Sequence, residues 1–267
     1  MQYQKLSRQS KSSEEMKRIT IYIVALLTAL SVSASPISEE RWDTGNKAYI
    51  EGNYDKAIEE YHAILEDGEY SMKLYYNLAN AYFKVGAISK SILYYNKALR
   101  VDPSQEDARH NLTLAEKRIT DNVAEESEFF LAKWMRGLRN TMSCTAWSVL
   151  SLVSFASLLA FALLFLLASR ISLRKTGFYC ALVALLLFVA TISFAISSRN
   201  DMLTHDQAII LSSSISTKSS PDRSATELFV LHEGTKVRVV SEHNGWSEVV
   251  LADGKKGWIE NIHIERI

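Results

Sequence analysis

Hydrophobic positions follow three different periods along the chain, and each period predicts a different kind of element. From Ser38 to Thr120, apolar and aromatic residues recur three or four apart, the stripe of a helix that buries one face. Thr141 to Ser169 and Thr176 to Ser198 then carry no charged side chain over 29 and 23 residues. Each run reaches the roughly 20 apolar residues that a membrane-crossing helix needs. From Gln207 onward the period falls to two. Lys236 to Val240 alternates, Asn244-Gly245 offers a hairpin turn, and Trp246 to Leu251 alternates again. Asp253-Gly254 supplies the next turn and Gly257-Trp258-Ile259 opens a last strand, so five short strands closing a small barrel are expected.

The predicted fold class is therefore a multidomain membrane protein with α-helical hairpins, a two-helix transmembrane hairpin and a small all-β barrel. It reads as several short modules and not as one large core. The expected boundaries are 38–120 for the helical domain, 121–140 for a juxtamembrane segment, 141–169 and 176–198 for the spans, 170–175 for the loop between them, and 207–267 for the barrel.

The first 34 residues read as a leader. Met16-Lys17-Arg18 is basic, Ile19 to Leu30 is apolar, and Val32-Ser33-Ala34 places small residues ahead of Ser35-Pro36, which is the layout of a secretory signal peptide. The expectation is a start at Met16 and cleavage after Ala34, with an uncleaved anchor as the alternative. Export also decides the hairpin's orientation. Arg170, Arg174 and Lys175 favour a cytoplasmic loop, while Lys133, Arg136 and Arg139 before the first span nearly balance them. With the leader exported, both soluble parts face the periplasm and the protein lies in the inner (cytoplasmic) membrane. Glu128 to Asn140 is amphipathic and is expected to lie along the lipid bilayer surface, with Trp147 and Tyr179 as interface anchors. The spans contain no Asp, Glu, Lys, Arg or His to mark an ion or substrate path, so they read as anchors. Ser148, Ser151, Ser154 and Ser157 form a stripe suited to helix packing. The two cysteines, Cys144 and Cys180, read as small buried hydrophobes.

The helical domain repeats itself. Gly52, Tyr54, Lys56, Ile58, Tyr61 and Ile64 align with Gly86, Ile88, Lys90, Ile92, Tyr95 and Ala98, always 34 residues apart. Gly45 and Ala48 match Ala79 and Tyr82 at the same offset, although Trp42 stands one position late. Ser104, with Asp107 in capping-box position, is expected to cap a fifth helix over Gln105 to Thr120, the terminal cap that repeat arrays need. The pattern resembles the tetratricopeptide-repeat (TPR) family, whose unit is a pair of antiparallel helices. That resemblance implies a groove, lined by the first helix of each pair, that binds extended peptides or partner helices. Some members grip a C-terminal carboxylate with two asparagines and flanking cations, and Asn46 and Asn77 have the mutual spacing of those asparagines. Trp42, Asp107 and Asn111 fall where the cations belong, so the clamp is expected to be absent. Asn46, Asn77, Trp42 and Asn111 remain the candidate peptide-binding residues.

In the C-terminal part, Leu228 to Val237, then Trp246 to Val249, then Asp253 to Ile259 resemble the bacterial SH3 family. Several members bind cell-wall peptide. Trp246 and Trp258 are candidate surface residues there, with a core role as the alternative.

Charge and chemistry then exclude whole classes. With 30 basic and 30 acidic side chains, net charge says nothing about nucleic acid or acidic partners, and no nucleic-acid partner is expected. The six histidines are scattered without metal-ligand spacing, and no phosphate-cradling glycine loop is present. No cofactor, metal site or catalytic residue is expected, and the chain reads as a non-enzymatic binding protein. The order of signal peptide, repeats, two membrane helices and SH3 resembles the E-type component of the Bat (Bacteroides aerotolerance) family, a BatE-like architecture. It implies an envelope scaffold, with von Willebrand factor A-type membrane proteins and a linked MoxR-type ATPase as partners. The competing expectation is a cell-wall-binding sensor led by the SH3 domain.

Overall fold

The computed structural model describes residues 36–121 and 129–267. The leader, with its expected start and cleavage points, lies outside the described residues, as does 122–128 of the juxtamembrane segment. Five helices come first: α1 (Pro36–Ile50), α2 (Tyr54–Glu66), α3 (Met72–Lys84), α4 (Ile88–Val101) and α5 (Glu106–Glu116). Gly52 and Gly86, one repeat apart, both take φ +81 and turn the chain between the two helices of a pair. Only glycine adopts that left-handed conformation without cost. Asn53 caps α2 by accepting from the Lys56 amide, and Ser71 caps α3 by accepting from the Leu74 amide. Inside, Tyr61, Leu78, Ala79, Ile92 and Tyr95 are fully buried. A Cβ on Gly45 would come within 2.7 Å of the Tyr61 ring, so the small residue sets how closely α1 and α2 approach.

The expected cap of the fifth helix is corrected. Gln105 occupies the N-cap position of α5 without a side-chain capping bond, its side-chain amide donating instead to Asp102 at 2.9 Å. The Ser104 hydroxyl instead donates to Asp102 at 2.7 Å, as does the Ser104 amide at 3.1 Å. Asp102 competes successfully because the preceding Pro103 turn brings those donors to its carboxylate.

Next come α6 (Phe130–Arg139) and the long apolar helices α7 (Cys144–Leu167) and α8 (Ile171–Leu203). Both α7 and α8 are long and apolar enough to cross a membrane. They pack antiparallel, with Trp147 against Phe194, Phe155 against Phe188 and Phe165 against Phe178. Small residues make the seam: Ser151, Ser154, Gly177, Ala184, Thr191 and Ala195 are buried there. The four serines of the stripe donate to carbonyls of their own helix, so they contribute close packing and no cross-helix hydrogen bond. Both cysteines are free. The expected six-residue loop shrinks to Ala168-Ser169-Arg170, because nothing in Ile171 to Lys175 breaks a helix and the Arg174 amide already bonds the Arg170 carbonyl. Beyond the start of α7, α8 runs on through Leu203. There Arg139 of α6 pairs with Asp201 at 2.6 Å and donates to Ser197 at 2.9 Å.

The remainder is one antiparallel sheet of seven strands, where the alternation predicted five. They are β1 (Gln207–Ile210), β2 (Ser214–Lys218), β3 (Glu227–His232), β4 (Lys236–His243), β5 (Trp246–Val250), β6 (Lys256–Glu260) and β7 (Ile264–Arg266), in the order β3-β2-β6-β5-β4-β1-β7. The short strands β1 and β7 were hidden from a period-two reading. Ala208, Ile210, Val237, Val239, Val249 and Ile259 form the core of this part.

β1 is buried on both faces. Ala208 and Ile210 point into the sheet's core, while Ile209 belongs with Ile92, Leu93 and Leu112 of the repeats. Ile267 joins the same cluster. Gly234, at φ +84, lies so close to Ile119 that a Cβ there would collide with it and crowd Ile92 at 3.1 Å. Polar contacts ring this seam. Asp121 accepts from the His232 amide at 2.7 Å, from the His232 imidazole at 2.7 Å and from the Thr235 hydroxyl at 2.8 Å. Lys236 donates to the buried Asn96, and Lys97 pairs with Glu265 at 2.7 Å. Arg41 to Ile267 therefore form one compact unit in which the repeats and the sheet keep distinct cores and meet along this seam.

Burial alone would raise the Asp121 pKa, but the hydrogen bonds from His232 and Thr235 outweigh it and hold the carboxyl below its usual range. Its contribution is complete above the ordinary carboxylate pKa of about 4 and is lost as the pH falls through the lower folded value. Asp121→Ala should cost about 2 kcal/mol. The check is the heat-unfolding midpoint of the full chain in detergent. The gap between wild type and variant should be widest near neutral pH and should close in acid.

Candidate functional site

The repeat array carries a ladder of asparagines across its first helices, α1, α3 and α5. Asn77 Nδ2 donates to Asn46 Oδ1 at 3.0 Å, and the buried Tyr61 hydroxyl donates to the same oxygen at 2.9 Å. One repeat later the arrangement recurs: Asn111 Nδ2 donates to Asn80 Oδ1 at 3.1 Å, and Tyr95 donates to it at 2.5 Å. Asn46, Tyr61 and Asn77 become Asn80, Tyr95 and Asn111 by adding 34 to each number. Asn111 also donates to the Tyr76 hydroxyl at 3.1 Å.

This arrangement fixes the chemistry on offer. In each rung both inward bonds fall on one carboxamide oxygen. Asn46 and Asn80 keep an NH2 group, and Asn77 and Asn111 keep a C=O, with no partner inside the chain among the described residues. One donor and one acceptor per rung is what an extended peptide backbone requires. All four asparagines are half-buried, so the groups stay reachable. Trp42 packs on Tyr61 with ring centroids 5.9 Å apart, and Tyr76 lies tilted against Tyr95 at 6.0 Å, giving the ladder an aromatic border. Asp107 lies exposed in the first turn of α5, apart from these bonds.

The structure thus joins Asn46 to Asn77 directly and places Trp42 beside them. Asn111 belongs to the second rung. Asn80 and Tyr76 were missed by the sequence reading. The signal for Asn80 was present, since it is Asn46 displaced by one repeat.

On the sheet, Trp246 and Trp258 are half-buried and stand on the face opposite the core residues Val249 and Ile259. Trp246 pairs across to Glu260 and Trp258 to Glu248, so two indoles and two carboxylates share this outer face. Arg223 grips Glu260 through two bonds of 2.8 and 3.0 Å, which closes one end of it. Among the described residues, no group of three His, Cys, Asp or Glu side chains is placed to hold a metal ion.

Two family models match parts of this architecture. Residues 73–105 match the tetratricopeptide repeat, covering α3 and α4, and residues 218–265 match the bacterial SH3 domain. No curated protein matches the chain. Both matched modules imply protein or peptide partners, which agrees with the chemistry of the asparagine ladder.

Burial pushes the Tyr61 hydroxyl up to about 12. The neutral phenol therefore stabilises the fold below the ordinary tyrosine pKa of about 10, and this contribution fades as the pH rises from there toward the folded value. Tyr61→Phe and Tyr95→Phe should each lower stability by about 1 kcal/mol through the lost hydrogen bond. Alkaline unfolding followed by tyrosine absorbance checks both. In the Tyr61→Phe variant the loss of stability above that pH should be shallower.

Proposed function

We propose that the chain is a non-enzymatic, membrane-anchored scaffold of the cell envelope. Its asparagine ladder holds an extended segment of a partner protein, the α7–α8 hairpin anchors it, and the SH3 part braces the repeats. The observation that carries this reading is the donor and acceptor pair, unpartnered among the described residues, that is repeated at each rung. Anchoring is supported by the hydropathy of α7 and α8 and by α6, whose Phe130, Leu131, Trp134 and Leu138 are all exposed while Lys133 and Arg136 flank them. An unpaired apolar face of that kind suits a bilayer surface. Because α7 begins and α8 ends at the same end of the hairpin, repeats and sheet lie on one side of the membrane. The exported leader assigns that side to the periplasm.

In the finer version of the proposal, the chain acts in a Bat-type stress or aerotolerance complex. There the ladder would receive a von Willebrand factor A-type membrane protein linked to a MoxR-type ATPase. A second reading rests on Trp246 and Trp258, whose outer face offers aromatic and carboxylate groups to cell-wall peptide, making the chain a wall-binding sensor.

Full-length protein purified in mild detergent, beside an Asn77→Ala/Asn111→Ala variant, tests the scaffold. Losing one acceptor on each of the two rungs should cut recovery of the partner roughly thirtyfold, given about 1 kcal/mol per hydrogen bond. Equal recovery by both proteins, or recovery of wall fragments alone, contradicts the scaffold and favours the sensor. Alkaline phosphatase, which folds only where disulfides form, should be active when fused after Ile267 and inactive when inserted at Ser169. The reverse pattern overturns the periplasmic orientation.

A further inference from the structure

A cavity of about 620 Å³ opens where the end of α4, the end of α6, the adjoining ends of α7 and α8, and strands β1 and β4 converge. Its charged lining is mostly cationic: Arg100, Arg136, Arg139, Lys236 and Arg238 against Asp201 and Asp206. Several of these are already engaged, Arg139 with Asp201 and Lys236 with Asn96.

Arg100 is different. Its Nη1 donates to the main-chain oxygen of Ile267, but Nε and Nη2 are buried without a hydrogen-bond partner among the described residues. Burial pulls its pKa below the usual arginine value, ahead of the opposing pull of Asp206 and Asp201. A guanidinium stripped of water and left with two idle donors is costly, and native proteins seldom leave one so. The Ser198 hydroxyl on α8 also lines the cavity and is also buried without a partner. Arg238 on β4 is exposed, and its side chain makes no hydrogen bond or ion pair among the described residues.

Each of these groups can donate, and two of them are guanidinium forks that match the oxygens of a phosphate. The cavity is wider than a bare ion needs. Its wall includes the first residue of α7, Cys144, and the last turns of α8, and the exposed apolar row of α6 runs up to its edge. We propose that this cavity is a phosphate site filled by the headgroup of an anionic phospholipid. The phosphate chemistry stands on the cavity alone. The lipid source rests on the reading that α7 and α8 cross a membrane.

The full-length chain would be placed in nanodiscs of phosphatidylcholine, or of an equal mixture with phosphatidylglycerol. Lipid retained after release would be counted by native mass spectrometry. Wild type should keep phosphatidylglycerol in preference to phosphatidylcholine. Retention should fall roughly fivefold in Arg100→Gln and in Arg238→Gln, and recover in Arg238→Lys, since each basic side chain near a bilayer surface is worth about 1 kcal/mol. If Arg100→Gln fails to melt cooperatively in phosphatidylcholine, the exposed Arg238 decides alone. A parallel arm adds inorganic phosphate to the detergent-purified chain. A rise in melting temperature that Arg238→Gln abolishes, without selective lipid retention, keeps the phosphate site and assigns its source to solution. Equal lipid retention by all variants, with no phosphate-dependent shift, overturns the proposal. Extraction of the chain from membranes by carbonate would contradict the membrane reading separately, leaving the phosphate arm to report on the cavity.

Discussion

Strand β1 has to be covered on two sides, and most of the architecture follows from how that is done. Its inner residues Ala208 and Ile210 complete the sheet's core, while Ile209 on the other face would meet water without the repeats. Burying one isoleucine side chain is worth about 1.5–3 kcal/mol, and the Asp121 hydrogen bonds fix the angle at which this happens. Because α8 hands over to β1 through Thr204, His205 and Asp206, that contact also sets where the repeats stand relative to the apolar hairpin. Arg139, reaching Asp201 and Ser197, holds the same corner from the α6 side.

A consequence is a division of the repeat array into two working sides. Helix α4 and the chain after α5 are committed to the sheet, through Ile92, Asn96, Lys97 and Asp121. The ladder on α1, α3 and α5 is left open, with its hydrogen-bonding groups already oriented by Tyr61 and Tyr95. Preorganised groups of this kind lower the ordering cost of binding. In the proposed setting, a partner segment would be held at a fixed distance from the bilayer instead of on a swinging tether.

Much of this was legible in the sequence. The 34-residue offset is a periodic signal, and so are the left-handed glycines and the charge-free runs, because each reflects a local constraint that repeats or persists. What was not legible depends on long-range geometry. Nothing near Asp121 announces that His232 and Thr235, more than a hundred residues on, will claim its carboxylate. Ser104 looked like a cap until Asp102 took its hydroxyl. The loop between the apolar helices was read from its charges, although Arg174 and Lys175 are as content on a helix end as in a turn.

The central claim is that the ladder side of the repeats, and not the rest of the array, receives a partner protein. Site-specific photocrosslinking in cells tests it most directly, with benzoylphenylalanine placed at Trp42 in one strain and at the exposed Lys90 of α4 in another. The account predicts that Trp42 yields a discrete crosslinked protein band that disappears with Asn77→Ala/Asn111→Ala, while Lys90 yields none. Crosslinking from Lys90 alone, or a Trp42 band indifferent to the ladder substitutions, would contradict it.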